Sequence, residues 1–246
     1  MSETGNTDDF GSYQYGRWLI QLRRGEMPDI DRGNNYVFEA VDMKHVLYTF
    51  PELKETFPNI FENPTQPIVL DVGCYWGHNV VELATHNPGI NVLGLDIKFK
   101  RVVKSCHKIR RGQLPNAKIA LCDVRDVIDL APERSIYGIC IFFPDPWIKS
   151  RHQKFRYLIE DFFEAALPKL TDDGFIWLKT DHPEYYDAVL EFGLKHRCDV
   201  EREPGVGEQL SVKLASREYR TIFESLFLKQ NLPVYRLMLK KQALKD

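Results

Sequence analysis

No apolar run in the 246-residue sequence approaches the roughly 18 residues that a membrane-spanning helix requires, so no membrane anchor is expected. The opening stretch, MSETGNTDDFGS, lacks the basic segment and apolar run of a secretion signal and is acidic and polar instead, which predicts a cytoplasmic protein. Cysteine pairing is missing from the pattern. Cys74, Cys106, Cys122, Cys140 and Cys198 are five in number and contain no C-x-x-C spacing, which argues against a disulfide framework and against a zinc or other metal site. An excess of one charge is also lacking: 33 basic side chains face 35 acidic ones for a net charge of −2, so any nucleic-acid surface must be a local patch. Internal repeats and low-complexity stretches are absent. What is present is enough apolar material, 43% of residues, to bury a proper core in one α/β domain with modest additions.

Residues 1 to about 35 mix Gly, Asp, Asn and aromatics around a short helix near Trp18–Arg24, and Met43–Phe57 carries apolar residues at helical spacing up to the breakers Pro51 and Pro58. These read as an N-terminal extension with short helices, residues 1–63, ahead of a domain spanning 64–246. From Pro67 the pattern alternates. The apolar run Pro67–Val72 is followed by the helical period of Trp76–His86, and Asn91–Asp96 is apolar again. Ile119–Cys122, Tyr137–Phe143 and Phe175–Lys179 continue as strands, with helices over Phe99–Arg111, Tyr157–Leu170 and His182–His196. Near the end, Val200–Glu203 and Val234–Leu239 can pair antiparallel around a helical Arg217–Leu228. The expected fold is a Rossmann-like α/β sheet, seven-stranded and mostly parallel, with one antiparallel edge strand and helices on both faces.

Ligands of such sheets bind outside the carboxyl ends of the strands, so Asp71–Gly73, Asp96, Asp123 and Phe143–Asp145 are expected to converge on one crevice. The stretch Asp71-Val-Gly-Cys-Tyr-Trp-Gly77 joins a strand to a helix, where backbone must approach a nucleotide-like ligand closely and glycine is needed. Asp96 can accept both hydroxyls of a ribose, and Asp123 is placed for an adenine amino group. Taken singly, each carboxylate is more readily a helix cap or turn residue; three in register favour a site. A dinucleotide fingerprint reads G-x-G-x-x-G, and D-x-G-x-x-x-G does not fit it. The stretch is similar instead to the first motif of S-adenosyl-L-methionine methyltransferases, D/E-x-G-x-G-x-G, with Tyr75 at the central glycine. The backbone amides of Cys74–Gly77 are expected to face the cofactor's carboxylate.

The run from Phe142 to Arg156 resembles the F-P-D-P-W-x-K-x-R-H-x-K-R-R signature of the tRNA (guanine-N7)-methyltransferase family. It matches at Phe143, Pro144, Asp145, Pro146, Trp147, Lys149, Arg151, His152, Lys154 and Arg156, with Phe155 replacing a basic residue. Lys179-Thr-Asp181 is similar to the family's K-T-D after the fifth strand, and Pro233–Arg236 to its terminal strand. The likeness spans Pro64 to Lys240. The family's T-x-x-E or T-x-E element, which contacts the target base, aligns with Ser216-Arg-Glu218, or in another register with residues anchored on Tyr219 and Phe223.

This resemblance implies a class I methyltransferase fold and transfer of a methyl group from S-adenosyl-L-methionine to N7 of guanine at position 46, in the variable loop of tRNA. Guanine N7 is already a free acceptor, so its attack needs no deprotonation and positioning is most of the catalysis. Asp145, locked between two prolines, is the expected catalytic residue. Asp71, Gly73, Gly77, Asp96 and Asp123 are expected to hold the cofactor. Lys149, Arg151, His152, Lys154, Arg156, Asp181, Ser216 and Glu218 are expected to hold the substrate, the cationic run acting on phosphates and the guanine leaving its stack. The partner is tRNA, for a monomer or homodimer, with an accessory subunit left open. Two other readings stay open: a family member that binds RNA without methylating it, suggested by Tyr75, Phe155 and the Ser216 element, and a methyltransferase for another nitrogen acceptor.

Overall fold

The computed structural model describes residues 8–30, 35–144, 160–202 and 220–241. In chain order these form α1 (Asp8–Arg23), α2 (Asn35–Val41), β1 (Leu47–Thr49), α3 (Phe50–Thr56), β2 (Ile68–Val72), α4 (His78–His86), β3 (Asn91–Asp96), α5 (Phe99–Gly112), β4 (Ala117–Leu121), α6 (Val124–Leu130) and β5 (Ile136–Phe142). Helical residues 160–166 (α7) and a 3-10 turn at Leu167–Lys169 lead to β6 (Leu170–Thr180), then α8 (Pro183–Lys195), β7 (Asp199–Arg202), α9 (Ile222–Lys229) and β8 (Tyr235–Lys240).

The strands lie in the order β1-β4-β3-β2-β5-β6-β8-β7. All neighbours from β1 to β6 are parallel, whereas β8 runs antiparallel to both β6 and β7, so these last two strands make an antiparallel edge. The pairing of the residues around 200 with those around 237 is the one the sequence pattern predicts. The order reverses at β2, whose neighbours are β3 on one side and β5 on the other; such a switch point is where an open α/β sheet opens a crevice.

Alternate side chains of each central strand point to opposite faces, and the sequence is apolar on both. Ile68, Leu70, Leu93, Leu95, Ile139, Ile141, Ile176 and Leu178 join α6, α7 and α8 in one core. Val69, Val92, Cys140, Phe175, Trp177 and Met238 join α1, α2, α4 and α5 in the other. A sheet buried on both faces needs helices on both, which is the architecture expected.

One strand more than the expected seven is present, and its origin is the stretch read as a single helix over Met43–Phe57. There Leu47–Thr49 pairs parallel with Ile119–Leu121, and helix begins only at Phe50. The local reason is a stop and a start. Thr49 and Glu52 form a reciprocal capping box with Pro51 in the first turn, which fixes the helix start and leaves the residues before it extended. All five cysteines are buried free thiols.

Candidate functional site

The loop after β2 is shaped by two glycines with left-handed backbone. Gly73 has φ +68, and a Cβ placed there would meet no atom within 4 Å; Gly77 has φ +68, and a Cβ there would stand 2.7 Å from Ser105 Cβ. The first therefore borders open space, and the second lets the loop lie against α5. Tyr75, between them, also sits in the left-handed region at φ 53, a conformation uncommon for a bulky residue and natural for the glycine it replaces.

This loop, the end of β5 and the start of α9 enclose a cavity lined by Asp71, Gly73, Cys74, Tyr75, Trp76, His78, Asn79, Phe142, Phe143, Thr221, Ile222 and Phe223. Its aromatic wall is continuous. Tyr75 stacks on Trp76 at 4.8 Å and meets Phe223 edge-on at 5.3 Å, while Phe143 stacks on Phe227 at 5.4 Å.

The polar wall is Asp71 and Asn79. Asn79 Nδ2 donates to Asp71 Oδ1 at 2.6 Å, and Asp71 Oδ2 and Asn79 Oδ1 are buried without a partner. Burial pushes the Asp71 carboxyl up to about 7; the Asn79 hydrogen bond opposes this and the nearby Asp96 charge adds to it. Two orphaned acceptors beside open space at Gly73 fit a ligand with an ammonium group, such as the methionine end of S-adenosylmethionine.

Asp96, at the end of β3, is 4% exposed. Its oxygens accept from Lys98 N at 2.8 Å and Tyr75 N at 3.1 Å, and Arg101 Nη1 lies 3.6 Å away. Burial raises its pKa against these stabilising contacts. The expectation that the amides of Cys74–Gly77 face a cofactor carboxylate is corrected for three of the four: Cys74 N donates to Leu95 O, Tyr75 N to Asp96 and Gly77 N to Cys74 O. The loop folds back on β3 and on itself, which takes up these three donors.

Asp123 is the N-cap of α6, with Oδ1 accepting from Arg125 N at 2.9 Å and Asp126 completing a capping box. Asp181 stands at the carboxyl end of β6, half-buried and 3.6 Å from His182 Nε2, and does not line the cavity. Asp145, Lys149, Arg151, His152, Lys154, Arg156, Ser216 and Glu218 lie outside the described residues.

Sequence reasoning missed Thr221 and Glu224. Thr221-Ile-Phe-Glu224 has the T-x-x-E spacing sought at Ser216, and among the described residues its Thr221, Ile222 and Phe223 line the cavity. Thr221 caps α9, accepting from Glu224 N at 3.0 Å. Glu224, 2% exposed, binds Lys179 Nζ at 2.9 Å and Arg236 Nε and Nη2 at 2.9 and 2.6 Å. Burial alone would raise its pKa, but the two cations reverse this and hold it below the ordinary value. The capping-box spacing, just before an apolar run, was the available signal.

The parallel sheet with an antiparallel edge and a glycine loop at its switch point defines a Rossmann-like class I methyltransferase fold. Solved structures of that kind include precorrin-6y C5,15-methyltransferase from Geobacter metallireducens, with a TM-score of 0.50 at 14% identity over 72% of this chain and 82% of that one. An antibiotic related methyltransferase gives 0.51 at 15% identity, over 78% of this chain and 94% of that one. Residues 65–237 match the family model described as "Putative methyltransferase". The tRNA (guanine-N(7)-)-methyltransferase of Actinobacillus succinogenes is 33% identical over 76% of this chain and 73% of its own length. Its counterpart in Ureaplasma urealyticum is 38% identical over 56% of this chain, which spans 64% of that relative. The chain belongs to the tRNA (guanine-N7)-methyltransferase family.

Proposed function

We propose that this protein transfers the methyl group of S-adenosyl-L-methionine to N7 of the guanine at position 46 in the variable loop of tRNA. The observation that carries the reading is the acceptor-lined cavity at the sheet's switch point in a chain of this family. When bound, the cofactor supplies a methyl group on a cationic sulfonium, which a neutral lone pair can attack. Asp71 and Asn79 accept from its ammonium group, Gly73 keeps the loop clear of it, and Gly77 lets that loop pack against α5. Asp96 takes the ribose hydroxyls on the lone pairs left by the Lys98 and Tyr75 amides. Asp123 takes the adenine amino group on the oxygen not used for capping.

Asp145, the residue after Pro144 at the end of β5, accepts from guanine N1–H and the exocyclic amino group, holding the base while N7 attacks. Lys149 donates to O6 or a phosphate, Asp181 adds a second acceptor for the base, and Arg151, His152, Lys154 and Arg156 set the register on phosphates. Ser216 and Glu218 contact the substrate beside Thr221, the hydroxyl that lines the cavity. The catalytic unit is residues 64–246, carrying 1–63 as its extension, and it acts in the cytoplasm as a monomer or homodimer.

Incubation with labelled cofactor and total tRNA lacking the modification tests this. Label is expected in 7-methylguanosine, and Asp145→Ala is expected to abolish turnover with the circular dichroism spectrum intact. Label in another nucleoside, or a wild-type rate in the variant, overturns the reading. Tyr75 favours one alternative, an RNA-binding member without methyl transfer, because its ring forms part of the cavity wall where the family motif has glycine. Calorimetry showing tRNA binding but no S-adenosylmethionine binding would select it.

A further inference from the structure

Helix α5 and its N-cap form a strongly basic segment. Between Lys98 and Arg111 the sequence has Lys98, Lys100, Arg101, Lys104, Lys108, Arg110 and Arg111 and no acidic residue, in a chain whose net charge is −2. Like charges three and four residues apart on a helix repel, so Lys104–Lys108 and Lys108–Arg111 each destabilise α5 slightly. Arg101 has Asp96 as a partner; among the described residues, Lys104, Lys108 and Arg111 have no carboxylate partner. They are gathered all the same. Lys104 Nζ lies 4.6 Å from the centre of the Trp76 ring and Lys108 Nζ 5.8 Å from it, and Lys108 Nζ also donates to Trp76 O at 2.8 Å. Burial first, and then the charges of Lys104 and Arg111, lower the Lys108 pKa.

Trp76 is 37% exposed, lines the cavity and is stacked on Tyr75, so this cationic ridge adjoins the mouth of the candidate active site. The cation–π contacts hold two long side chains in place, which reduces the entropy lost when an anion binds them. In the sheet order α5 connects β3 and β4 on one side of β2, whereas β5 lies on the other side.

We propose that the Lys104–Lys108–Arg111 face of α5, held against Trp76 beside the cavity, is a docking surface for the phosphate backbone of the RNA substrate. The inference rests on the reading of tRNA as that substrate and assigns it a second contact surface, across the cavity from the β5 side. Each phosphate neutralised releases counterions, so the ridge contributes to the salt dependence of binding more than to its sequence preference.

The test uses the full-length protein and an unmodified tRNA transcript, with affinity followed by fluorescence anisotropy across a potassium chloride series. Lys104→Gln/Lys108→Gln/Arg111→Gln is expected to bind at least about tenfold more weakly near 100 mM salt, with a log–log slope shallower by about 2 to 3. S-adenosylmethionine affinity should stay within about twofold, and the charge-preserving Lys104→Arg/Lys108→Arg variant should keep the wild-type slope. If the triple variant does not fold, Lys104→Gln and Arg111→Gln alone should each lower the slope by about 0.9. A wild-type slope in folded variants, with tRNA bound by the parent protein, overturns the docking surface and leaves the proposed reaction standing. No tRNA binding by the parent protein removes the reaction, and the ridge's role with it.

Discussion

Burial, opposed by the Asn79 hydrogen bond and aided by the Asp96 charge, pushes the Asp71 carboxyl up from an ordinary 3.8 to about 7. A raised folded value means that the folded chain binds more protons than the unfolded one. The associated stability is fully present below 3.8 and is lost as pH rises through about 7. A bound ammonium group favours the ionised carboxylate, so cofactor binding must expel a proton wherever Asp71 is still protonated. Titrating S-adenosylmethionine at pH 6.5 in two buffers of different ionisation enthalpy should give different heats, the difference vanishing in Asp71→Asn. Equal heats at pH 6.5 would separate Asp71 from the cofactor. Asp71, Gly73 and Gly77 were legible in the sequence because their roles are local: a strand end, a turn and a close approach. The partners of the loop amides were not. Leu95 and Asp96 come from another strand, and no spacing within the loop announces that they take its donors.

Helix α9 shows how an element is positioned by residues distant in the chain. Glu224 closes the cap at Thr221 and also bridges Lys179 of β6 and Arg236 of β8, so one carboxylate bolts the start of the helix to two strands and sets Thr221, Ile222 and Phe223 against the cavity. The sequence shows the cap as T-x-x-E; it does not show that cations 45 and 12 residues away converge on the glutamate. That is why Thr221 and Glu224 were not singled out from the sequence. Removing the anion takes from two buried cations the carboxylate that they share. Glu224→Gln is expected to cost about 3 to 5 kcal/mol, read from denaturant or thermal unfolding. In Glu224→Gln/Lys179→Met the loss should be smaller, since one of the two buried cations that lose the shared carboxylate is gone. A cost under about 1 kcal/mol for the single variant would mean that the triad does not hold α9.

Over the whole molecule, the parallel sheet with two buried faces and its antiparallel edge were legible in the sequence, because the central strands are apolar on both sides; the strand order was not, since periodicity says nothing of which strands are neighbours. The first 63 residues were harder to read, being polar and rich in glycine and aspartate. In the structure Leu19, Val37, Ala40, Met43 and Leu47 are fully or almost fully buried in the same core as α4 and α5. Arg23 ties this part together: Nη1 donates to Glu52 Oε1 and Oε2 at 2.7 and 2.8 Å, and Nη2 to Ala40 O and Leu47 O at 3.2 and 3.1 Å. One guanidinium thereby joins α1, α2, β1 and α3. Its side chain is 6% exposed but that of Glu52 is 30%, so solvent screens part of the charge, and Arg23→Ala should cost about 2 kcal/mol. At this chain length that lowers the melting temperature by about 4 to 8 °C. Because the extension shares the core of the sheet, the loss should appear in one transition, coincident by tryptophan fluorescence and far-ultraviolet circular dichroism. Two separated transitions, with the second at the parent temperature, would show instead that the extension melts on its own and that β1 is dispensable to the sheet.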